Sequence, residues 1–360
     1  MRRCISFIVL LLITLNLEGQ TIRDTIAINR LHLKGNVKSF KEFTYKCAEQ
    51  IDGVIATSFE KETDFYEECH DYETNHAYYF DLKGKMIQSD SYDSPTRIAP
   101  STVISYDQDR VTLVASTYHF SDVGTKTAKT VFKYNEKGLL VQSSLYAIMG
   151  TLASRTIYNY DSNGNLLKSI EYDNDGDIYE VSVYEYKYDD AGKITYKQRT
   201  TDSRYNEERT IDTEWRDSNG RLIHSKNLSA GILWDNSYYT YNDAGLLTRI
   251  INKRFGENGP YGKTEYSYDG DKLILVVETY PRWSITKKYN GAIIKTERYE
   301  DGKLKDKKTY VNERLTEIEL PDGSTYTYEY KDDSKGNWIQ AIERKNSIPT
   351  LMKKRTILYY

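Results

Sequence analysis

A short phrase recurs down this chain: an aromatic residue, a four-residue turn ending in glycine, and an apolar residue two places beyond it. It runs from Tyr134 through Gly138 to Leu140, from Tyr160 through Gly164 to Leu166, from Tyr188 through Gly192 to Ile194, and from Tyr241 through Gly245 to Leu247. The anchors Phe80, Tyr106, Tyr134, Tyr160, Tyr188, Trp215, Tyr241 and Tyr268 lie 26, 28, 26, 28, 27, 26 and 27 residues apart. A fixed period of this size implies a repeat architecture, in which each unit buries its apolar face only against its neighbours.

Each unit reads as a β-hairpin. Alternation through Arg155–Tyr160 puts Thr156, Tyr158 and Tyr160 on one face. Asp161 favours a type I turn, and Gly164 supplies the left-handed residue of a G1 bulge. The return strand is expected to place Leu166, Ile170 and Tyr172 together, and a second loop at 173–177 reverses the chain again. The next strand carries Tyr184, Tyr186 and Tyr188 on one face, with Glu185 and Lys187 opposite. Three turns depart from the pattern. Trp215 sits one residue further from Gly220, which predicts a longer or shifted turn, while Arg110 and Lys272 stand where glycine is expected.

The chain holds 34 Tyr in 360 residues against 6 Pro. Aromatic and β-branched residues suit a pleated surface, and disordered chains lack them. No segment of the mature chain sustains a helical period. The expected fold is all-β: an antiparallel hairpin-repeat meander forming a strongly twisted or coiled extended sheet, as a spiral or a partly closed barrel. The expected divisions are a signal peptide over 1–19, an N-terminal cap over 20–78, eight hairpin repeats over 79–290, and shorter irregular repeats with a C-terminal cap over 291–360. The last segment, Arg355–Tyr360, reads as a closing strand.

Arg2 and Arg3 precede an apolar run from Ile5 to Leu17, followed by small or polar Gly19, Gln20 and Thr21. This is the pattern of a secretory signal peptide. Cys4 lies ahead of the apolar run, so it is not the lipid-bearing Cys of a lipoprotein signal. Export implies a periplasmic, cell-surface or extracellular location. Cys47 and Cys69 then become the candidate disulfide pair. Formal net charge is −3, and the charges are interspersed, which argues against nucleic acid as a partner.

The phrases from Tyr160-Asp161 to Leu166 and from Tyr188-Asp189 to Gly192 resemble the YD repeats of Rhs-type proteins. The likeness runs from about Phe80 to Tyr330 and rests on repetition in register. It implies β-hairpins built into large spiralling sheets, sometimes hollow shells, at cell surfaces. The chain departs from the long toxin-bearing members: it has no Asp-Pro dipeptide, no variable C-terminal toxin region, and a longer period. It is most similar to a short, repeat-only relative. The segment from Tyr299 through Gly302 also resembles MORN-like antitoxin hairpins, which implies an antitoxin or immunity-like alternative.

No residue set supports a catalytic or cofactor assignment, and no cofactor is expected. His70, Asp71 and His76 near Cys69 fit no familiar zinc spacing. The 173–177 loop resembles half a calcium loop, but its twelfth position is Tyr184 rather than a chelating acid. Paired acids such as Asp189/Asp190 fall in turns, where Asp caps the backbone. The remaining candidate is an aromatic binding face made by Tyr158, Tyr160, Tyr184, Tyr186, Tyr188, Tyr239, Tyr241, Tyr266 and Tyr268, with a glycan or an envelope protein as ligand. Such ladders also serve as cross-strand packing. An outer-membrane barrel needs a lipid face free of charge. Here Lys168, Lys226, Arg249 and Lys253 share strand faces with Leu or Ile, while Lys133, Glu185 and Lys187 charge the opposite faces, so no membrane span is expected in the mature chain. The expected function is a non-catalytic binding or scaffolding surface at the cell envelope. The enzymatic alternative acts on envelope polysaccharide from a site on the concave face.

Overall fold

The computed structural model describes residues 33–50, 53–59, 75–94, 97–120, 124–204, 209–253 and 261–360. It is all-β, with 74% strand. The N-terminal strands are β1 (Val37–Gln50), β2 (Gly53–Phe59), β3 (His76–Phe80), β4 (Met86–Ser94), β5 (Arg97–Asp107) and β6 (Arg110–Phe120). Then follow β7 (Gly124–Tyr134), β8 (Leu140–Tyr146), β9 (Leu152–Tyr160), β10 (Leu166–Tyr172), β11 (Ile178–Tyr188), β12 (Ile194–Ser203) and β13 (Arg209–Arg216). The middle continues with β14 (Leu222–Ser229), β15 (Ile232–Tyr241), β16 (Leu247–Lys253), β17 (Gly262–Asp269), β18 (Lys272–Thr279) and β19 (Trp283–Asn290). The C-terminal part is β20 (Ile293–Glu300), β21 (Lys303–Val311), β22 (Arg314–Glu319), β23 (Thr325–Asp332), β24 (Trp338–Lys345) and β25 (Ile348–Tyr359).

Every consecutive pair from β3 to β25 is antiparallel, so the chain is one long meander. It closes. β1 runs against β25 from Val37↔Tyr359 to Lys46↔Leu351, and its other edge takes β3 through Ser39↔Tyr79 to Glu42↔His76. The ring therefore has 24 strands, with β2 paired beside the far end of β1. Twenty-four strands at about 4.8 Å spacing and about 40° tilt enclose a ring about 48 Å across, too wide for side chains to fill.

The repeated turn explains itself locally. In six turns of the phrase, the glycines 84, 138, 164, 192, 220 and 245 have φ between 75° and 86°. The amide of Gly164 donates to the Asp161 carbonyl, and the Asp161 Oδ1 accepts the amides of Asn163 and Asn165. Asp81, Asp189, Asp217 and Asp333 cap their turns in the same way, and so does Asp173 in the 173–177 loop. The side-chain bond from Asn165, with the backbone amides, holds the Asp161 carboxyl below its ordinary range. The turns without glycine at the expected position do differ. Asp107↔Arg110 and Asp269↔Lys272 close two-residue hairpins, with Gln108 and Gly270 at φ 56° and 62°.

A β-bulge recurs beside each turn of the repeated phrase, as between Lys133 and Tyr134 or between Leu166 and Lys168. Bulges bend a strand and change which face a side chain takes. Leu166 pairs with Tyr160, but Ile170 pairs with Ile157 and Tyr172 with Arg155. The sequence expectation that Leu166, Ile170 and Tyr172 share a face is therefore corrected: Leu166 lies with Ser169 and Glu171. For the same reason Lys168 does not share the face of Leu166. It lies with Lys133, Glu185, Lys187, Lys226, Arg249 and Lys253 on the face opposite the tyrosines.

Candidate functional site

Cross-strand pairing places all nine candidate tyrosines on one face, here the tyrosine face. Several are held by a repeated latch. The Tyr160 hydroxyl donates to the Leu140 carbonyl at 2.7 Å, Tyr186 to Leu166 at 3.0 Å, Tyr241 to Leu222 at 2.9 Å, and Tyr268 to Leu247 at 2.9 Å. Tyr106, Tyr134 and Tyr330 do the same to Met86, Val111 and Leu315. Each latch ties one hairpin to the apolar residue that follows the preceding turn. Tyr360 reaches the Phe80 carbonyl across the closure. A neutral hydrogen bond of this kind contributes about 0.5–1.5 kcal/mol, and the set repeats round the ring.

The residue after four of the turns adds a second tie. Lys85, Arg110, Arg221 and Arg314 lie over the rings of Tyr106, Tyr134, Tyr241 and Tyr330, at 5.2, 5.8, 4.8 and 5.5 Å from the centroids. Arg110 also crosses Gly138, where an added Cβ would meet its guanidinium at 2.6 Å. Gly138 is thus needed both for its positive φ and for the cation that passes over it.

The other candidates are placed differently. Tyr158 and Tyr184 are buried, and the Tyr158 hydroxyl lies 3.3 Å from Ser143 Oγ. Tyr188, the anchor by spacing, is half-exposed and accepts from Asn165 Nδ2, while Tyr186 makes the latch. The latch spans 20 residues at both Tyr160 and Tyr186, so the two extra residues in this repeat displace Tyr188. Tyr239 lies 3.4 Å from Ser225 Oγ. Burial pushes the Tyr266 phenol up. Burial beside Tyr158, Tyr184 and Tyr134 pushes the Tyr160 phenol up to about 12.

The belt breaks at β13. Asp217–Gly220 makes the same capped turn as its neighbours, not a longer one. Arg216 therefore holds the anchor position, and Trp215 points to the opposite face. There it stacks on His224 at 4.2 Å, which stacks on Tyr238 at 4.4 Å, with Tyr196 edge-on at 5.7 Å. On the tyrosine face two polar rows take over across β11–β15. One runs Tyr184, Arg199, Asp212, Asn227, Asp235, and the other Tyr186, Lys197, Glu214, Ser225, Ser237. They floor an open depression of about 480 Å³. Arg199 and Asp212 pair at 3.7 Å, Arg216 and Glu214 at 2.8 Å, and Asn227 Nδ2 donates to Asp212. Sequence reasoning missed this sector. Its signal was the extra residue between Trp215 and Gly220.

Beside it, Glu171 and Glu180 face each other across β10 and β11. Burial raises both carboxyls; Ser154 and Arg199 respectively oppose the shift. Among the described residues, no group of three or more His, Cys, Asp or Glu is placed to hold a metal. Cys47 is half-buried on β1, whereas Cys69, His70, Asp71 and the signal segment lie outside the described residues.

No family model matches the sequence, and no curated protein matches it. Solved structures do align. The Photorhabdus luminescens Tc holotoxin pore matches at 10% identity and TM-score 0.22, over 85% of this chain and 22% of that one. TcdB2-TccC3 without its hypervariable C-terminal region matches at 12% and 0.28, over 88% and 25%. A porin-like protein from Bacteroides uniformis matches at 14% and 0.22, over 69% and 97%. The chain spans about a quarter of the length of the Tc toxin chains. With TM-scores this low the likenesses carry no argument, and the barrel rests on its own strand pairings.

Proposed function

We propose that this protein is an exported β-barrel that acts as a non-catalytic binding or scaffolding surface at the cell envelope. One contrast carries the reading. The signature residues of most repeats latch the wall, while β13 puts Arg216 in the anchor position and β12–β15 carry a solvent-open polar floor beside it. The wall is charged on both faces. Glu180, Arg199, Asp212 and Lys287 lie on the tyrosine face, and Lys133, Glu185, Lys226 and Arg249 lie opposite. A lipid-facing wall needs an uncharged band about 25 Å tall, so this charge supports water on both sides. The Arg2–Arg3 start and the apolar run to Leu17 support export. Expression with the native leader, fractionation and affinity capture from envelope material test the proposal. Retention of an envelope component by protein extracted without detergent is expected. Extraction only by detergent, or turnover of a substrate, would overturn it.

The Glu171–Glu180 pair favours a second reading, an enzyme acting on envelope polysaccharide. Two facing carboxyls with raised proton affinity suit acid–base work. That reading requires hydrolysis that disappears in both Glu171→Gln and Glu180→Gln.

A further inference from the structure

We infer that the β11–β15 depression is a subsite for a neutral oligosaccharide. This rests on the binding-surface reading above and names its ligand class. Three features lead to it.

The first is charge balance. Lys197 and Arg199 line the depression with Asp212, Glu214 and Asp235, while Lys226, which also borders it, belongs to the opposite face of β14. Arg199 is already paired with Asp212, and Glu214 with Arg216. A phosphate or sulfate group would approach three carboxylates, and a cation would approach two basic side chains. Neither sign of ligand finds a matching site, whereas a neutral polyol leaves the internal pairs intact.

The second is the kind of polar group. Asp212, Glu214, Asn227 and Asp235 are planar side chains with several acceptor positions, and Arg199, Lys197 and Asn227 are multiple donors. Donors and acceptors alternate along the rows, so adjacent sugar hydroxyls, each a donor and an acceptor, can bridge them. The groups are held in place beforehand. Asn227 is tied to Asp212, and Ser237 Oγ donates to Asp235 Oδ2 at 2.8 Å. Preorganisation reduces the ordering cost of binding. The side chains stay accessible, with Arg199 40% and Asp212 41% exposed.

The third is position. The sector interrupts the belt, and tyrosines bound it on both sides: Tyr184 and Tyr186 on β11, Tyr239 and Tyr241 on β15. The polar rows cross five adjacent strands, which suits an extended chain of sugars rather than a compact metabolite.

The test is calorimetric titration of the whole barrel with neutral hexasaccharides of α-1,4-glucose, β-1,4-glucose and β-1,4-xylose. A sulfated heparin hexasaccharide serves as the charged comparison. At least one neutral probe is expected to bind in the micromolar to millimolar range and to outbind the sulfated one. Asp212→Asn and Asn227→Ala should each weaken that binding ten-fold or more, with circular dichroism unchanged. Tyr238→Ser, on the opposite face, should leave it unchanged. Binding of none of the neutral probes, preferential binding of the sulfated probe, or neutral binding that survives Asp212→Asn and Asn227→Ala overturns the subsite. If the barrel still captures an envelope component in those cases, the binding-surface reading stands without it.

Discussion

The closure of the ring and the β12–β15 sector use the same chemistry to opposite ends. At the closure, Glu42 on β1 meets Arg355 at 2.6 Å and Lys353 at 3.7 Å, with the three side chains only 14, 12 and 6% exposed. The Arg355 guanidinium is also stacked over Trp338, 3.3 Å from the ring centroid. In the sector, Arg199 and Asp212 pair at 3.7 Å with about two-fifths of each side chain exposed. Buried ions that lose a partner stay buried and uncompensated, whereas exposed ions turn to water. The closure is thus committed to the fold, and the sector is free to exchange its partners for a ligand.

Four experiments break or sharpen this contrast. Glu42→Ala should be the most damaging, because it takes the shared carboxylate away from buried Arg355 and Lys353; a loss of about 3–5 kcal/mol in urea unfolding is expected. A loss below that of an exposed pair would mean the closure is not held by desolvated charge. Next comes the latch. Tyr160→Phe should cost about 1 kcal/mol, while Tyr188→Phe, at a half-exposed site, should stay within about 0.5 kcal/mol. Equal costs would remove the distinction between latched and unlatched tyrosines.

The carboxyl pair gives a pH dependence with a definite sign. The folded-state affinities of Glu171 and Glu180 for protons lie above the ordinary glutamate value of 4.5. Their protonated forms therefore add stability that is complete below about pH 4.5 and lost as pH rises through the folded values. Glu171→Gln should flatten that slope and stabilise the protein at neutral pH by about 0.2–1 kcal/mol. Thermal unfolding from pH 4 to 8 reads both effects, and an unchanged slope would mean the pair is solvated. Smallest is Arg199→Ala, expected to change stability by no more than about 1 kcal/mol. A large loss there would make the sector as structural as the closure.

Much of the repeat was legible from the chain. Aspartate, four-residue spacing and glycine specify a capped turn through local geometry alone, and the turns at Arg110 and Lys272 were recognisable as exceptions. The assignment of faces was less so. A bulge beside Leu166 reverses the alternation that places Ile170 and Tyr172, and an unaltered turn after Arg216 sends Trp215 to the far face. Alternation can be counted only where the ladder is regular, and no residue type announces a bulge by itself.

The amino-acid sequence determined by itself that the chain is a run of antiparallel hairpins with tyrosines gathered at one turn end, because those interactions span few residues. Tertiary structure decided the rest: that the meander meets itself, which phenols become latches, and which charges lose water. Glu42 and Arg355 are 313 positions apart. Their burial follows from curvature accumulated over the whole ring, and only the closed wall sets it.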